Sequence, residues 1–481
     1  MKSSGADLGH GNIGKLLFSM AMPAIFAQVI NALYNVVDRM FIGHLPEIGA
    51  TALTGVGLTF PIIMIISAFS CLVGMGGAPR AAIKMGANDD KGAEEILGNC
   101  VLALLGLSVI LTALILIFKK DLLLMFGANA DTTLQYGIEY LSIYAIGTIF
   151  VQIVMGLNPF INAQGFAKTG MLTILIGAVI NIVLDPILMF GFHMGVQGAA
   201  LATIISQGIS AIWVMRFLNG KKAKLKIKRK YLKFTPSVIF PVLALGLSPF
   251  IMQSTESALS ICFNISLARF GGDLAVGSMT ILASVMQFAM MPISGLTQGA
   301  QPIISYNYGA NNPERVKKTF SILLICCLAF SILVWCFAMF IPNVLVSLFT
   351  NTPELMELAV WALRIYMFAI IIFGIQTACQ QTFIALGQAG ISIMLALLRK
   401  IVLLIPLIFI LPMVVSSDFA NIFLTDSIRT LLDGFQPTKV FAVFLAEPIS
   451  DIIAVCVTAI TFFVSFKKIS KPKTFNTPKE S

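Results

Sequence analysis

Long apolar runs separated by short polar stretches make up most of the chain, and twelve of them reach transmembrane length. A helix of ~20 apolar residues crosses the ~30 Å hydrocarbon core of a bilayer. In chain order, segments one to twelve are 15–42, 54–78, 95–118, 136–162, 170–192, 198–218, 237–268, 276–304, 316–340, 358–386, 390–415 and 440–466. The pattern predicts an all-α membrane protein with twelve transmembrane helices.

Composition supports a membrane protein and argues against several kinds of site. The chain is 58% hydrophobic and 11% charged, whereas soluble domains carry ~25% charged residues. The eight cysteines all fall in apolar runs and the three histidines lie near predicted helix ends. Neither set forms a disulfide or metal pattern, so we expect no cofactor.

Landmark residues recur between the two halves of the chain at offsets of 220 to 226. They are the turns 86–89 and 309–312, Pro79 and Pro302, Gly165 and Gly387, Pro186 and Pro406, and Pro23 and Pro249. A fixed offset indicates duplication of a six-helix unit. Because six is even, both halves insert in the same orientation, which predicts two lobes related by a pseudo-two-fold axis along the membrane normal.

Positive charge is unevenly distributed. If the segments alternate across the membrane, 25 of the 32 Lys and Arg fall toward the N-terminal side, which the positive-inside rule makes cytoplasmic. We predict an N-lobe at 1–218, a basic cytoplasmic linker at 219–236, a C-lobe at 237–466 and a cytoplasmic tail at 467–481. The net charge of +10 is therefore interpreted as a topological anchor that meets anionic lipid, and no nucleic-acid partner is expected.

The most informative polar stretch is 181–186, inside segment five. Asn181 and Asp185 are four residues apart and share one helical face. Pro186 donates no backbone hydrogen bond, which leaves the carbonyl of Ile182 free. Polar groups at membrane depth are costly and generally face a cavity. The alternative is a buried acid that only holds helices together.

Helix rise places other polar residues of the first half at a similar depth. Asp38 and Asp185 lie ~8–9 Å inside the predicted outer surface, Thr203 ~8 Å and Tyr140 ~14 Å. Together with Asn181 they predict a shared cation site. Oxygen ligands suit Na⁺, and two close carboxylates favour uptake of a proton because like charges repel. Asp38 has an alternative in local pairing with Arg39.

The second half carries different chemistry. Glu256 lies near mid-membrane in segment seven and is the candidate that attracts a cationic substrate. Gln253, Gln287 and Gln376 are further substrate-binding candidates. The position that matches Asp185 is Ile405, so the cation site is not duplicated. Four charged residues in segments eleven and twelve are expected to pair with each other: Arg399, Lys400, Glu447 and Asp451.

Several of these features together resemble the MATE family of multidrug and toxic compound extrusion transporters. They are the duplicated layout, Val-Val-Asp38, the Gly-Ala-Asn turns, Gln164-Gly165, Asn-x-x-x-Asp-Pro at 181–186, and Glu256. The runs 397–406 and 439–448 resemble the MepA-like bacterial exporters within it. Some members carry an acid in segment ten, and its absence here argues against a Na⁺ site confined to the C-lobe.

The resemblance implies a cation/drug antiporter in the plasma membrane, with both termini cytoplasmic. The coupling ion is H⁺ or Na⁺, the substrates are drug-like organic cations, and a monomer is expected. By position, Asp38, Asn181, Asp185 and Thr203 match the family's N-lobe cation site, with Tyr140 nearby, and these four form the candidate Na⁺ site.

Two other functions remain open. A lipid-linked oligosaccharide flippase of the same superfamily would carry a strongly cationic central cavity, whereas Asp38 and Asp185 are acidic. A polytopic membrane enzyme would need a cluster of His, Cys or acidic residues at an interface, and the sequence shows none.

Overall fold

A computed structural model describes residues 5–414 and 439–469, with side chains described as far as residue 466. Most of the predicted tail lies outside the described residues. Within the described ranges the chain is helical and contains no strand, as the apolar pattern predicts.

The described residues form twelve membrane-spanning segments, with Pro236–Gly309 counted as two, and their bounds lie within a few residues of the predicted ones. Segments four and ten each consist of two helices, bent by 58° and 50°. Segments seven and eight, within Pro236–Gly309, are two helices that follow each other directly and are separated at Gly272, whose φ of 63° and ψ of −158° are non-helical. The segments are Ile13–Gly43, Gly49–Gly86, Asp90–Met125, Leu134–Ile146 with Thr148–Ala163, Ala167–Gly191, Gly195–Leu218, 236–271, 273–309, Pro313–Phe340, Pro353–Tyr366 with Ile370–Ala385, Ala389–Val414 and Lys439–Ile469.

One close approach between the lobes follows the sequence repeat. A Cβ built on Gly86 would lie 1.9 Å from the carbonyl oxygen of Tyr306, and one built on Gly309 would lie 1.9 Å from that of Ile83. Adding 223 to Ile83 and Gly86 gives Tyr306 and Gly309, so this contact maps onto itself. An isologous contact of this kind is the signature of two-fold symmetry, and it confirms the predicted pseudo-two-fold relation.

A second pair of approaches follows the repeat more loosely: its two glycines are 223 residues apart, and their partners 221. Gly76 of segment two meets the carbonyl oxygen of Val242 in segment seven, 2.2 Å from a built Cβ. Its counterpart Gly299 of segment eight meets Ala21 of segment one, 2.6 Å from a built Cβ. Because any side chain at these glycines would collide with backbone, their small size sets the distance between the lobes.

Among the described residues, the core clusters that contain side chains of both lobes lie at one end of the molecule. We call the end where segment six stops and segment seven starts the linker end, and the opposite one the far end. Core clusters at the linker end contain residues of both lobes, such as Val73 with Val242 and Met20 with Ile303. Clusters at the far end belong to one lobe each. The molecule is therefore closed at the linker end, and its lobes part toward the far end.

The basic linker is packed against the N-lobe. The side-chain oxygen of Gln164 accepts a hydrogen bond from the amide of Leu225 at 2.9 Å, and that of Asn99 accepts one from Thr235 at 2.7 Å. Lys228 pairs with Glu94 at 2.6 Å. The linker therefore packs against the N-lobe in addition to carrying positive charge.

The stretch 5–12 before segment one spans both lobes at the linker end. The amide of Ala6 donates to the carbonyl of Gly165 in the N-lobe at 3.0 Å. In the C-lobe, Asn307 Nδ2 donates to the carbonyl of Leu8 at 2.8 Å and Arg315 Nη1 to that of Gly11 at 2.9 Å. We call this stretch the N-terminal strap, and the sequence analysis did not anticipate it.

Candidate coupling and substrate sites

The organising stretch of segment five meets segment six as expected. Asn181 Nδ2 donates to Asp185 Oδ1 at 3.2 Å and lies 3.5 Å from Thr203 Oγ1. The hydroxyl of Thr203 donates back to the carbonyl of Ala199 at 3.1 Å, one turn earlier. All three site side chains are buried. The i, i+4 spacing of Asn181 and Asp185 therefore produces the contact that the sequence predicted.

Segment one brings a second carboxylate to this contact. Asp38 lies close enough to Asp185 for their charges to interact. Tyr140 of segment four lies near both Asp38 and Thr203, and its ring stacks on Tyr144 at 6.0 Å between centroids. The structure thus brings all five predicted cation-site residues into one cluster.

Tyr34 belongs to the same cluster and was missed. It lies within electrostatic range of Asp38 and Asp185. The available signal was its i, i+4 spacing to Asp38, which places both on one face of segment one.

Three buried oxygen atoms of the cluster accept no hydrogen bond from any residue in the described part of the chain. They are Asp38 Oδ1, Asn181 Oδ1 and Asp185 Oδ2. Buried acceptors without a donor are costly, and buried carboxylates require a positive partner. Oxygen atoms from three side chains fit a proton shared between the acids, and they equally fit a hard cation such as Na⁺. The arrangement is chemically a cation site.

Local pairing between Asp38 and Arg39 does not occur within the described part of the chain. The guanidinium of Arg39 lies over the ring of Phe60, 5.0 Å from its centroid. The two side chains are adjacent on a helix and point about 100° apart. The guanidinium is still within electrostatic range of Asp38, but it forms no ion pair with it among the described residues.

Segment five changes its helical geometry directly beyond the site. Residues Ile187–Gly191, which follow Pro186, form a π-helix. Single π turns are frequent at functional sites, where they alter the direction of side chains. Here the wider turn lies between Asp185 and the far end.

The charged residues of the C-lobe form two groups. Arg399 Nη2 contacts Glu447 at 3.0 Å and Arg399 Nε contacts Asp451 at 2.7 Å. Its guanidinium also lies over the ring of Phe373. These three charges are buried together.

The prediction that Lys400 joins this network was wrong. Lys400 Nζ forms an ion pair with Glu256 of segment seven and donates to the carbonyl of Met252 at 2.9 Å. Arg399 and Lys400 both lie in the π-helix Leu398–Leu404. As consecutive residues they diverge, one toward segment twelve and the other toward segment seven.

The substrate-binding candidates are less tightly grouped than the cation site. Gln253 and Glu256 share a face of segment seven, and Gln253 Nε2 contacts Met64 Sδ of the other lobe at 3.4 Å. Gln287 is exposed, whereas Gln376 is buried with its side-chain oxygen unpaired. Among the described residues no hydrogen bond joins either of them to Glu256.

A buried polar contact joins segments seven, ten and eleven and was not predicted. Gln380 Nε2 donates to Ser248 Oγ at 3.1 Å and to the carbonyl of Ser392 at 3.0 Å. The two serine hydroxyls are 2.8 Å apart. This contact joins segment seven to segments ten and eleven within the C-lobe, on the linker-end side of Glu256.

Two pseudo-symmetric lobes of six helices, with a polar site at membrane depth and a closure at one end, define a secondary-transporter type of membrane protein. The comparison with protein families makes this specific. The sequence model of the MatE family matches residues 23–187 and 249–410, so the chain belongs to that family.

Curated relatives and solved structures agree with this assignment. The chain is 28% identical over 402 residues to the multidrug export protein MepA of Staphylococcus haemolyticus strain JCSC1435, covering 84% of this chain and 88% of that protein. MepA of Staphylococcus aureus strain MSSA476 is 25% identical over 397 residues, or 82% and 87%. Both relatives are transporters.

Two solved structures share the fold. A multidrug resistance MATE family transporter of the MOP superfamily, described as outward-facing, gives a TM-score of 0.85 at 22% identity over 98% of this chain and 100% of that chain. A MOP superfamily transporter from Pyrococcus furiosus gives 0.84 at 22% identity over the same shares. The predicted twelve-helix, two-lobe fold is confirmed.

Proposed function

We propose that this protein is a secondary active multidrug exporter in which entry of H⁺ or Na⁺ drives the exit of organic, mainly cationic, compounds. The observation that carries the proposal is the group of three buried oxygens without donors on Asp38, Asn181 and Asp185. Neither carboxylate forms an ion pair with a basic side chain among the described residues, so a bound H⁺ or Na⁺ would stabilise them, and coupling to an ion gradient requires such a site.

Segment one provides a route from the ion site to the closure between the lobes. It carries Asp38 near the far end and Ala21 and Ile25 at the linker end. These two residues contact Gly299 and Gly295 of segment eight. Neutralising Asp38 changes the electrostatic cost of its position, and Pro23 offers a bend point in the same helix. Binding of the cation therefore biases the packing of a helix that also holds the lobes together.

The proposed cycle follows from this connection. With the far end open, a cation binds at Asp38 and Asp185 and substrate leaves. The lobes then rock against each other, so that the far end closes and the site is exposed to the linker end, where the cation is released. The restored negative charge completes the cycle. Alternating access by rocking of two repeats is the general behaviour of such folds.

The relatives named multidrug export protein support export of drugs and do not favour the flippase alternative. The acidic cluster in the N-lobe also differs from the strongly cationic cavity that a lipid-linked oligosaccharide requires. The relatives are transporters and not enzymes.

Transport into proteoliposomes tests the proposal. We expect purified protein to move ethidium against its gradient when a pH or a Na⁺ gradient is imposed, and the two gradients applied separately identify the ion. Absence of dye movement under either gradient would refute drug antiport.

The orientation of the chain follows from the charge asymmetry and is part of the proposal. With both termini and the linker in the cytoplasm, a Lys226→Cys variant should react only with a membrane-permeant maleimide in intact cells. Lys119→Cys, predicted to lie near the outer surface, is the matched control. Labelling of Lys226→Cys by an impermeant reagent would reverse the topology.

A further inference from the structure

Lys400 and Glu256 form an ion pair whose two ends lie in different environments. The Lys400 side chain is 3% exposed, whereas that of Glu256 is 64% exposed. The ammonium is also held by the carbonyl of Met252 at 2.9 Å. The Lys400 ammonium is therefore held within the protein by two partners, and the Glu256 carboxylate is the accessible member of the pair.

The carboxylate faces the gap between the lobes. Gln253 lies three residues before Glu256 on the same face of segment seven, and it touches Met64 of the N-lobe at 3.4 Å. Glu256 is one turn closer to the far end, where the lobes have separate cores. Glu256 thus lies where segment seven separates from the N-lobe, and a molecule in the gap between the lobes can reach it.

The π-helix Leu398–Leu404 explains why this lysine reaches segment seven. Its neighbour Arg399 points to segment twelve and satisfies Glu447 and Asp451. Both of those acids therefore already have an ion-pair partner, which they share, and Lys400 has Glu256 as its ion-pair partner in the described part of the chain.

We propose that Lys400 is the residue that sets the charge preference of the substrate gap, acting as a resident counter-ion that an organic cation displaces from Glu256. This rests on the proposed export function and deepens it. A carboxylate paired in advance binds a monocation less tightly than a bare one, because the incoming charge replaces an interaction that already exists. The pair thereby allows a cation to be released as well as bound.

Removing the ammonium should strengthen binding of cations. In a Lys400→Met variant Glu256 keeps its solvent contact, so loss of the lysine leaves no buried bare charge. We expect the affinity for ethidium, a monocation, to rise about fivefold, the size associated with a partly exposed ion pair. Propidium has the same ring system with a second positive charge, and its affinity should rise more.

The controls separate charge from structure. Lys400→Arg keeps the positive charge and should retain the preference of the natural chain. Lys119→Met removes a lysine that donates to Ser142 Oγ in the N-lobe and should leave both affinities unchanged. In the double variant Lys400→Met with Glu256→Gln the gain should disappear, because the carboxylate that causes it is gone.

The measurement is dye binding by fluorescence anisotropy in detergent, with size-exclusion profiles to verify folding. Equal ethidium affinity in the natural chain and in folded Lys400→Met, or weaker binding in the variant, would overturn the proposal. If neither Lys400→Met nor Lys400→Gln yields monodisperse protein, the lysine is structural and the proposal also fails. Failure of the natural chain to transport any dye in proteoliposomes would instead refute the export function.

Discussion

The N-lobe and the C-lobe place ionisable side chains on corresponding helices but balance the charge differently. Segments one, five and six carry Asp38 and Asp185 with Asn181 and Thr203. Their counterparts, segments seven, eleven and twelve, carry three acids together with Arg399 and Lys400. Among the described residues, three oxygens of the N-lobe cluster lack a hydrogen-bond donor, whereas each of these three C-lobe acids has an ion-pair partner.

This difference indicates how a duplicated scaffold divides labour. A buried acid with its own cation is a fixed structural element, since separating the pair is expensive. A buried acid without one alternates between an ion-bound and an ion-free state. We therefore expect the N-lobe cluster to exchange ions and the Arg399 group to stay constant through the cycle.

The largest effect is expected when the guanidinium of Arg399 is removed from the C-lobe, which tests whether its ion pairs are structural. Arg399→Met leaves Glu447 and Asp451 buried without a partner, and we expect a loss of about 3–5 kcal/mol in the free energy of unfolding. Thermal unfolding in detergent measures it. Adding Glu447→Gln and Asp451→Asn removes all three charges and should recover most of the stability. If Arg399→Met melts like the natural chain, the network is not structural.

Neutralising one acid of the N-lobe cluster should impair transport and leave stability intact. Asp185→Asn relieves the repulsion with Asp38, so the melting temperature should not fall. Export driven by an ion gradient should drop by about 100-fold or more, equivalent to ~2.7 kcal/mol, while dye binding persists. Asp131→Asn, an exposed acid at the far end of the same lobe, is the control. Export at the normal rate in Asp185→Asn would place coupling elsewhere, at Glu256 or the Glu447–Asp451 pair.

Glu256 is intermediate between the N-lobe acids and the Arg399 group, because it forms an ion pair but its carboxylate is accessible. We expect Glu256→Gln to weaken cationic dye export by about three- to tenfold, since an amide supplies no counter-charge and Lys400 remains unpaired behind it. Chloramphenicol, an uncharged compound, should be less affected. Initial rates of both substrates in proteoliposomes provide the comparison. Equal losses would assign Glu256 to the transport cycle or the fold.

The parts of the structure that sequence predicts best are those governed by periodicity. The segments follow from apolar run length, and the contact of Asn181 with Asp185 follows from helical spacing. The similar depth of Thr203, Tyr140 and Asp38 is also predictable, because topology and helix rise fix how far a residue lies from the surface.

Other features depend on local deviations that periodicity does not reveal. The π-helix at 398–404 redirects Lys400 to Glu256, which an ideal α-helical reading missed. The N-terminal strap is held mainly through its backbone carbonyls, with Leu8 buried beneath it. Its side chains give little indication that it binds both lobes.

The smallest expected effect tests whether the N-lobe acids act as one unit. Asp38→Asn alone should impair coupling as Asp185→Asn does. If one ion is held by both carboxylates, losing either removes the site, so adding Asp38→Asn to Asp185→Asn should change the export rate by less than ~0.5 kcal/mol, about twofold. The two effects would instead multiply if each acid bound its own ion. A double-mutant cycle on ion-driven ethidium transport measures this coupling, with Asp38→Asn/Asp131→Asn as the pair expected to be additive. A double variant much slower than either single one would mean two independent ion sites. The N-lobe would then resemble the C-lobe, where Glu256 and the Arg399 group form separate ion pairs.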